Sequence, residues 1–227
     1  MITAVIFDLD DTLYDEIDFC RSGFHAAARH IATLSDAPAA DEVFAVLWRR
    51  FITGDCGSTF NVALAELGIP VEPPLIHALV EIYRTHLPTL TLPPESRAVL
   101  DALQGRYTLG LLTDGFLPTQ RLKVQALGIE GYFKAILYTE ELGREHWKPS
   151  PLGFERLLEK LAARPDQAVY VADNETKDFI APNRLGILTI QVQRPQGLYR
   201  QPSPVPDAAP RLRIAEIAAL PGLLTSL

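Results

Sequence analysis

Apolar and polar positions follow two different patterns along this chain. A short apolar run, Ala4–Phe7, predicts a buried strand, and polar residues follow it at once. From about residue 16 to about residue 92, apolar residues recur with helical spacing, and turn-rich segments separate the helices that they predict. From residue 93 onward, short apolar runs alternate with helical segments. Because strands that alternate with helices form parallel sheets, the pattern predicts an α/β fold interrupted by a helical insertion.

The elements can be bounded from the same pattern. Strands are predicted at Ala4–Phe7, Tyr107–Leu112, Ala135–Tyr138, Ala168–Ala172 and Ile187–Val192, with a weak edge strand and a closing helix in Arg211–Leu227. Helices are predicted at Glu95–Leu103, Pro118–Leu127, Pro149–Ala162 and Glu175–Leu185, the last kinked or ended by Pro182. In the insertion, Asp41 and Ser58 are predicted helix caps. We expect a doubly wound, Rossmann-like, mostly parallel sheet formed by residues 1–15 and 93–227, and a helical domain formed by residues 16–92.

Composition narrows the class of protein without identifying it. Apolar residues make up 48% of the 227 residues, which is enough for a buried core and argues against disorder. The formal net charge of −7 argues against a nucleic-acid or anionic-membrane partner, and no apolar run is long enough to span a bilayer. Cys20 and Cys56 stand in no metal-ligand pattern, and no secretory signal is visible. We therefore expect a cytoplasmic protein with two free thiols.

Polar residues suited to phosphate chemistry follow four of the predicted strands. They are Asp8 and Asp10 after the first strand, Thr113 after the second, Lys148 in the loop after the third, and Asp173 and Asp178 after the fourth. Because ligands of open α/β sheets bind outside the carboxyl ends of the strands, we expect these side chains to converge. Carboxylates this close would repel one another unless a cation or a proton lay between them. Mg²⁺ prefers oxygen ligands and is the cation that such a cluster favours.

The same residues resemble the four-part signature of the haloacid dehalogenase-like (HAD) phosphatases. The parts read Asp-Leu-Asp-Asp-Thr at residues 8–12, Thr-Asp-Gly at 113–115, Lys-Pro at 148–149, and Asp-Asn-Glu-Thr-Lys-Asp at 173–178. The resemblance spans almost the whole chain and implies a Rossmann-like core with a small helical cap inserted after the first strand. Ala172 stands where many relatives carry Gly, and Asp114 stands where Asn is common. The side chain of Asp114 should therefore point away from a bound phosphate or meet a cation.

Phosphoryl transfer requires an in-line nucleophile, neutralisation of the phosphoryl charge and a proton for the leaving group. We assign the nucleophile's role to Asp8, which would form an aspartyl-phosphate, and the general acid–base role to Asp10. This division of roles requires the pKa of Asp10 to lie above that of Asp8.

The ligand sets follow from the resemblance. The side chains of Asp8 and Asp173 and the backbone carbonyl of Asp10 would bind Mg²⁺, and Asp178 would act through water or by positioning Lys148. The phosphate would be bound by Lys148, the Thr113 hydroxyl, and the backbone amides near Asp114 and Gly115. Thr12 would hold the loop through its hydroxyl and take no part in the chemistry.

The hypothesis that the sequence favours is a Mg²⁺-dependent phosphatase acting on a small phosphorylated metabolite, which is itself not identified. A 2-haloacid dehalogenase would need neither the metal nor Asp10, and a phosphomutase would return a phosphorylated product. A signalling receiver domain holds a phospho-Asp with similar groups, but receivers are shorter and the large insertion disfavours one. We expect the insertion to act as a lid that excludes water and selects the substrate. The oligomeric state is open.

Overall fold

The structure is a computed structural model that describes residues 1–54, 57–198 and 201–227. The chain forms two compact units, one of residues 1–17 and 91–227 and the other of residues 18–90. The predicted break between two helices at residues 53–58 includes Asp55 and Cys56, which lie outside the described residues. The other cysteine, Cys20, is buried and forms no disulfide bond within the described residues.

The smaller unit is helical over its described residues. Its helices are α1 (Glu16–Ile31), whose first two residues belong to the larger unit, α2 (Ala40–Ile52), α3 (Thr59–Glu66) and α4 (Pro73–Thr85). Their apolar faces bury a common core, in which Phe24, Leu47 and Leu79 lie almost without solvent contact. The helical character predicted for this part of the chain is therefore confirmed.

Of the two predicted helix caps, Asp41 is wrong, whereas Ser58 is confirmed in its position alone. Asp41 lies within the first turn of α2, because the helix already begins at Ala40. Ser58 stands at the N-cap position of α3, but its side chain makes no capping hydrogen bond. A carboxylate in the first turn still interacts favourably with the helix dipole, so the acidic residue suits its position without capping the helix.

A parallel sheet, six-stranded over the described residues, organises the larger unit. Its strands are β1 (Ala4–Phe7), β2 (Thr108–Thr113), β3 (Ala135–Tyr138), β4 (Ala168–Ala172), β5 (Leu188–Val192) and β6 (Leu212–Ile214). They lie in the order β3-β2-β1-β4-β5-β6, and all neighbouring pairs are parallel. The chain builds one half of the sheet outward from β1 and then returns to build the other half. The predicted doubly wound sheet is confirmed, and β1 lies beside the point at which the strand order reverses.

Helices link the strands at nearly the predicted positions. They are α5 (Pro94–Leu103), α6 (Leu117–Leu127), α7 (Leu152–Leu161), α8 (Ile180–Leu185) and α9 (Leu220–Thr225). Helix α7 begins three residues later than predicted, after Pro149 and Pro151. Within the part of the chain that the structure describes, no helix has the length and the apolar character needed to cross a membrane.

The helix predicted from Glu175 forms only from Ile180 as α8. The side chain of Asn174 accepts hydrogen bonds from the backbone amide and the hydroxyl of Thr176, which stabilises a turn in place of the first helical turns. The expected kink at Pro182 is also wrong. Pro182 is the third residue of α8, where a helix does not use the backbone amide that proline lacks.

The core beneath the site joins the sheet to α7. Ile6 of β1 and Leu112 of β2 pack in one buried cluster with Phe154 and Leu157 of α7. Tyr170 of β4 belongs to the same cluster, and its ring meets that of Phe154 edge to face, with the ring centroids 4.8 Å apart. The core therefore fixes the ring of Tyr170, whereas its hydroxyl group lies at the candidate site.

Candidate active site

Three of the predicted site residues lie at the carboxyl ends of neighbouring strands. Asp8 follows β1, Thr113 ends β2 and Asp173 follows β4, and β1 pairs with both of the other strands. The backbone amide of Asp8 donates to the carbonyl oxygen of Val171, 2.9 Å away, so the ladder between β1 and β4 continues up to this carboxylate. The strand register thus fixes the three residues at one edge of the sheet.

Lys148 brings a positive charge to this edge. Its Nζ atom lies 2.8 Å from Oδ1 of Asp8, 2.7 Å from Oδ1 of Asp178 and 3.1 Å from the hydroxyl of Tyr170. The side chains of Lys148, Asp8 and Asp178 are only 1%, 5% and 0% exposed. Burial alone would lower the pKa of Lys148, but the carboxylates of Asp178 and Asp8 raise it well above its ordinary value. Lys148 is therefore a fixed cation, and Asp178 contacts it directly.

Three buried carboxylates meet at this edge. Asp8, Asp173 and Asp178 each offer an oxygen atom, and these atoms lie within 4.8 Å of one another. Burial raises the pKa of Asp8 to about 7, despite Lys148. Burial, together with the charges of Asp178 and Asp8, raises the pKa of Asp173 to about 9. The hydroxyl of Thr12 lies 3.5 Å from Oδ1 of Asp173.

This donor set fits a hard divalent cation. All of its members are carboxylate oxygens. Among the described residues, Lys148 brings one ammonium group into contact with them, and one such group cannot neutralise three acids. The raised pKa values of Asp8 and Asp173 express the same excess of buried negative charge. A bound Mg²⁺ would relieve it, because a nearby cation favours the ionised form of each carboxylate.

The carboxylate of Asp10 lies in a different environment, formed by α6 and the segment after β1. Its Oδ1 atom accepts hydrogen bonds from Nζ of Lys123 at 2.7 Å and from the hydroxyl of Tyr14 at 2.5 Å. Its Oδ2 atom accepts from Nε2 of Gln120 at 2.8 Å. Nζ of Lys123 also lies 3.6 Å from Oε1 of Glu16. Burial alone would raise the pKa of Asp10, but the charge of Lys123 and these three hydrogen bonds lower it below its ordinary value.

The predicted order of the two pKa values, Asp10 above Asp8, is wrong for the side chains as they stand. The prediction followed from the roles assigned to the two residues and took no account of their surroundings. Because β1 ends at Phe7, the alternation of side chains along a strand does not extend to Asp10. At Asp8, burial and a neighbouring acid outweigh the charge of Lys148. At Asp10, the charge of Lys123 and the hydrogen bonds outweigh burial.

Thr113, Asp114 and Gly115 line the end of β2. Oγ1 of Thr113 accepts a hydrogen bond from Nε2 of Gln120 at 2.6 Å. Asp114 meets a cation, as the sequence predicts, because its Oδ2 atom lies 3.6 Å from Nζ of Lys177. Its Oδ1 atom accepts from the hydroxyl of Thr139 at 2.8 Å and from the backbone amide of Lys148 at 3.2 Å. Asp114 therefore ties the end of β2 to the segment that carries Lys148.

Sequence reasoning missed the residues that surround Asp10, above all Gln120 and Lys123. Both lie on α6 and are 2% exposed, as are Val124 and Leu127 on the same helix. The available signal was their spacing, since Gln120 shares the helical face of Val124 and Leu127 at i+4 and i+7. A polar side chain at a core-facing position needs a buried partner, and that partner is Asp10.

Comparison with known proteins places this geometry in a family. The sequence profile of the haloacid dehalogenase-like hydrolases matches residues 2–186. Glyceraldehyde 3-phosphate phosphatase from Methanopyrus kandleri is 32% identical over 215 residues, which cover 91% of this chain and 90% of that protein. Ribulose-1,5-bisphosphate 5-phosphatase from Halopiger xanaduensis is 31% identical, with 84% of each chain covered. A solved structure, 2-haloacid dehalogenase from Pseudomonas syringae, matches with a TM-score of 0.64 and 25% identity, covering 100% of this chain and 99% of that one.

Proposed function

The chain belongs to the haloacid dehalogenase-like hydrolase family, and from this membership we propose that it is a Mg²⁺-dependent phosphatase of a small phosphorylated metabolite. The observation that carries the proposal is the buried contact of Lys148 with Asp8, beside Asp173 and Asp178. A candidate nucleophile, a cation for the phosphate and a set of metal-binding oxygens thus share one edge of the sheet. Phosphoryl transfer needs these three components together.

Asp8 is the nucleophile in this proposal. One of its oxygens attacks phosphorus, the bond from phosphorus to the ester oxygen breaks, and an aspartyl-phosphate forms. Water then attacks the phosphorus and releases inorganic phosphate, which restores the Asp8 carboxylate. Nζ of Lys148, now 2.8 Å from Oδ1 of Asp8, is placed to contact a phosphoryl oxygen bound at Asp8. Oγ1 of Thr113, and the backbone amides of Asp114 and Gly115, would donate to the other phosphoryl oxygens.

The side chains of Asp8 and Asp173 and the backbone carbonyl of Asp10 would hold Mg²⁺. The ion would supply charge neutralisation for the phosphoryl oxygens. Asp178 is the third member of the carboxylate cluster, and its contact with Nζ of Lys148 at 2.7 Å supports a positioning role for it.

Asp10 would exchange the proton that the reaction requires. It would donate a proton to the leaving oxygen in the first step and take one from the attacking water in the second. The hydrogen bonds that lower the pKa of Asp10 favour its ionised form, which suits the second of these steps. The donation step then becomes faster as the pH falls, because more of Asp10 carries a proton.

The substrate is a small primary phosphate ester in this proposal. The relatives are named for glyceraldehyde 3-phosphate and for the 5-phosphate of ribulose 1,5-bisphosphate, and both groups are esters of primary alcohols. An alkoxide is a poor leaving group, which explains why a proton donor such as Asp10 is needed. The helical unit of residues 18–90 would act as the cap that selects among such esters.

A dehalogenase is the second candidate, because a 2-haloacid dehalogenase is among the similar solved structures. That reaction would use Asp8 to attack carbon and would release a halide ion. Dehalogenation requires neither a metal ion nor the proton exchange at Asp10. A cluster of three carboxylates suited to a metal ion therefore favours the phosphatase.

The two functions can be separated in one set of assays. Phosphate release is measured from p-nitrophenyl phosphate and from a panel of primary phosphate esters, with Mg²⁺ or with EDTA. Halide release is measured from 2-chloropropionate. We expect phosphate release that requires Mg²⁺ and vanishes in Asp8→Asn but not in Asp166→Asn, a matched change on an exposed carboxylate. Phosphate release that is independent of metal, or unchanged in Asp8→Asn, would contradict the proposal.

A further inference from the structure

Two of the buried polar side chains of α6, Gln120 and Lys123, bind the carboxylate of Asp10 from two sides. We propose that Gln120 and Lys123 are positioning residues that hold Asp10 in the orientation required for proton exchange with the substrate. This inference rests on the proposed phosphatase function.

The orientation of Gln120 is determined by its acceptors. A carboxylate only accepts hydrogen bonds, so the NH₂ end of the amide must face Asp10. The same nitrogen donates to Oδ2 of Asp10 at 2.8 Å and to Oγ1 of Thr113 at 2.6 Å. The single amide group therefore links the proposed acid–base residue to a proposed phosphate-binding hydroxyl. Because Thr113 accepts this bond, its own hydroxyl proton can be donated to a phosphoryl oxygen.

The backbone at Gly115 allows this approach. Gly115 has a φ angle of +134°, and a Cβ atom at this position would lie 2.9 Å from Cδ of Gln120. Such a contact is too short for ordinary side chains, so any larger residue would displace the amide. The loop that follows β2 is thus shaped around the link from Gln120 to Asp10.

Lys123 supplies the second restraint. Its side chain is 3% exposed, and its Nζ atom lies 2.7 Å from Oδ1 of Asp10 and 3.6 Å from Oε1 of Glu16. An ammonium group buried this deeply is stable only with opposite charges in contact with it. The hydroxyl of Tyr14 donates to the same Oδ1 atom. Donors on both carboxylate oxygens therefore fix the plane as well as the position of the Asp10 carboxylate.

Fixed orientation matters most when the leaving group needs a proton. General acid–base catalysis contributes about 100- to 10,000-fold, and it is lost when donor and acceptor are displaced by an ångström or so. The ester oxygen of p-nitrophenyl phosphate leaves without being protonated, whereas the ester oxygen of an alkyl phosphate must be protonated as it leaves. A positioning role therefore predicts a loss that is selective for alkyl phosphates in the step that transfers the phosphoryl group to Asp8.

The test compares p-nitrophenyl phosphate with glycerol 3-phosphate as substrates, with Mg²⁺ present. For Lys123→Met and for Gln120→Met, we expect kcat/KM to fall about 10- to 100-fold on glycerol 3-phosphate and less than about threefold on p-nitrophenyl phosphate. This ratio reports the transfer to Asp8 and not the later attack of water, which is the same for both substrates. Lys123→Arg keeps a charged donor and should recover much of the loss. The matched control is Lys134→Met, because Lys134 contacts the carbonyl of Leu161 and should leave both rates unchanged.

A double-mutant comparison separates positioning from a structural role. In an Asp10→Asn background, Lys123→Met should have little further effect on kcat/KM, because the group that it positions is already absent. Equal losses of kcat/KM on both substrates, or the same loss in both backgrounds, would overturn the inference. Faster turnover in Lys123→Met would overturn it too, since the bonds would then hold Asp10 away from its working position.

Gln120→Met provides a second line of evidence if Lys123→Met folds poorly, because it changes no charge. The wild-type protein distinguishes the two levels of the argument. Absence of phosphate release from both substrates in the wild type would overturn the proposed function and this inference with it. Normal wild-type turnover with variants that behave like Lys134→Met would overturn this inference alone.

Discussion

Replacement of Asp8 by Asn should stabilise the metal-free protein while it abolishes turnover. In the folded chain the pKa of Asp8 is raised from 3.8 to about 7, and burial is the largest cause. Between these two values the folded state binds more protons than the unfolded state, so the free energy of unfolding falls as the pH rises. This loss of stability is complete at pH values above the pKa of the folded state. Asn avoids the loss because its amide never ionises.

The magnitude follows from the shift. A difference of about three pKa units, at about 1.4 kcal/mol each, corresponds to on the order of 4 kcal/mol. The side chain of Asp8 is 5% exposed, so solvent screens little of this effect. At pH 8 in EDTA, Asp8→Asn should therefore be more stable than the wild type by on the order of 4 kcal/mol, and near pH 4 the two should be similar.

Urea unfolding in EDTA, followed by circular dichroism at pH 4, 6 and 8, measures the effect. The control is Asp166→Asn, which changes an exposed carboxylate and should shift the free energy of unfolding by less than about 0.5 kcal/mol at every pH. The reasoning is refuted if metal-free wild type gains stability from pH 4 to pH 8. It is refuted equally if Asp8→Asn is the less stable protein at pH 8.

Three further predictions concern the same edge of the sheet. Mg²⁺ at about 100 times its Kd should stabilise the wild type by about 2.7 kcal/mol at pH 8, and an undiminished gain in Asp173→Asn would exclude that residue as a ligand. Lys148→Met should abolish phosphate release and lower the free energy of unfolding by about 3–5 kcal/mol at pH 8, because the buried acids lose their cation. A Lys148→Met variant as stable as the wild type would contradict this. Gly115→Ala should cost about 1–3 kcal/mol in thermal unfolding because of its positive φ and the close approach of Gln120, whereas Gly131→Ala, with open space around it, should be nearly neutral.

The site residues at the ends of strands could be predicted from the sequence. Each of them follows a short run of apolar residues that is wholly buried. Asp8 follows Ala4–Phe7 and Asp173 follows Ala168–Ala172, and both runs form strands with the predicted bounds. In a parallel sheet such ends meet at one edge, so convergence follows from topology without knowledge of side-chain packing. Lys148 lies further from its strand, and only the resemblance to a family connected it with this edge.

The features that were not predicted depend on local hydrogen bonds, which the periodicity of apolar residues does not reveal. Helix α8 starts late because the Asn174 side chain binds the backbone two residues on, a bond that competes with helix formation. The environment of Asp10 was missed for a related reason. Gln120 and Lys123 are favourable helix formers, so α6 is predicted whether they face solvent or a buried carboxylate. Only their position beside Val124 on the helix surface distinguishes the two cases.

The separation of Asp8 from Asp10 is what allows two carboxylates two residues apart to differ in chemistry. Identical side chains acquire different pKa values only through their surroundings. Asp8 shares its site with two acids, so a divalent cation in the carboxylate cluster would lower its pKa and yield an ionised nucleophile. At Asp8 the protein's own cation, Lys148, does not offset burial, whereas at Asp10 Lys123 and the hydrogen bonds do. The metal would therefore lower the pKa of Asp8 as Lys123 lowers that of Asp10, and only the metal can be removed with a chelator.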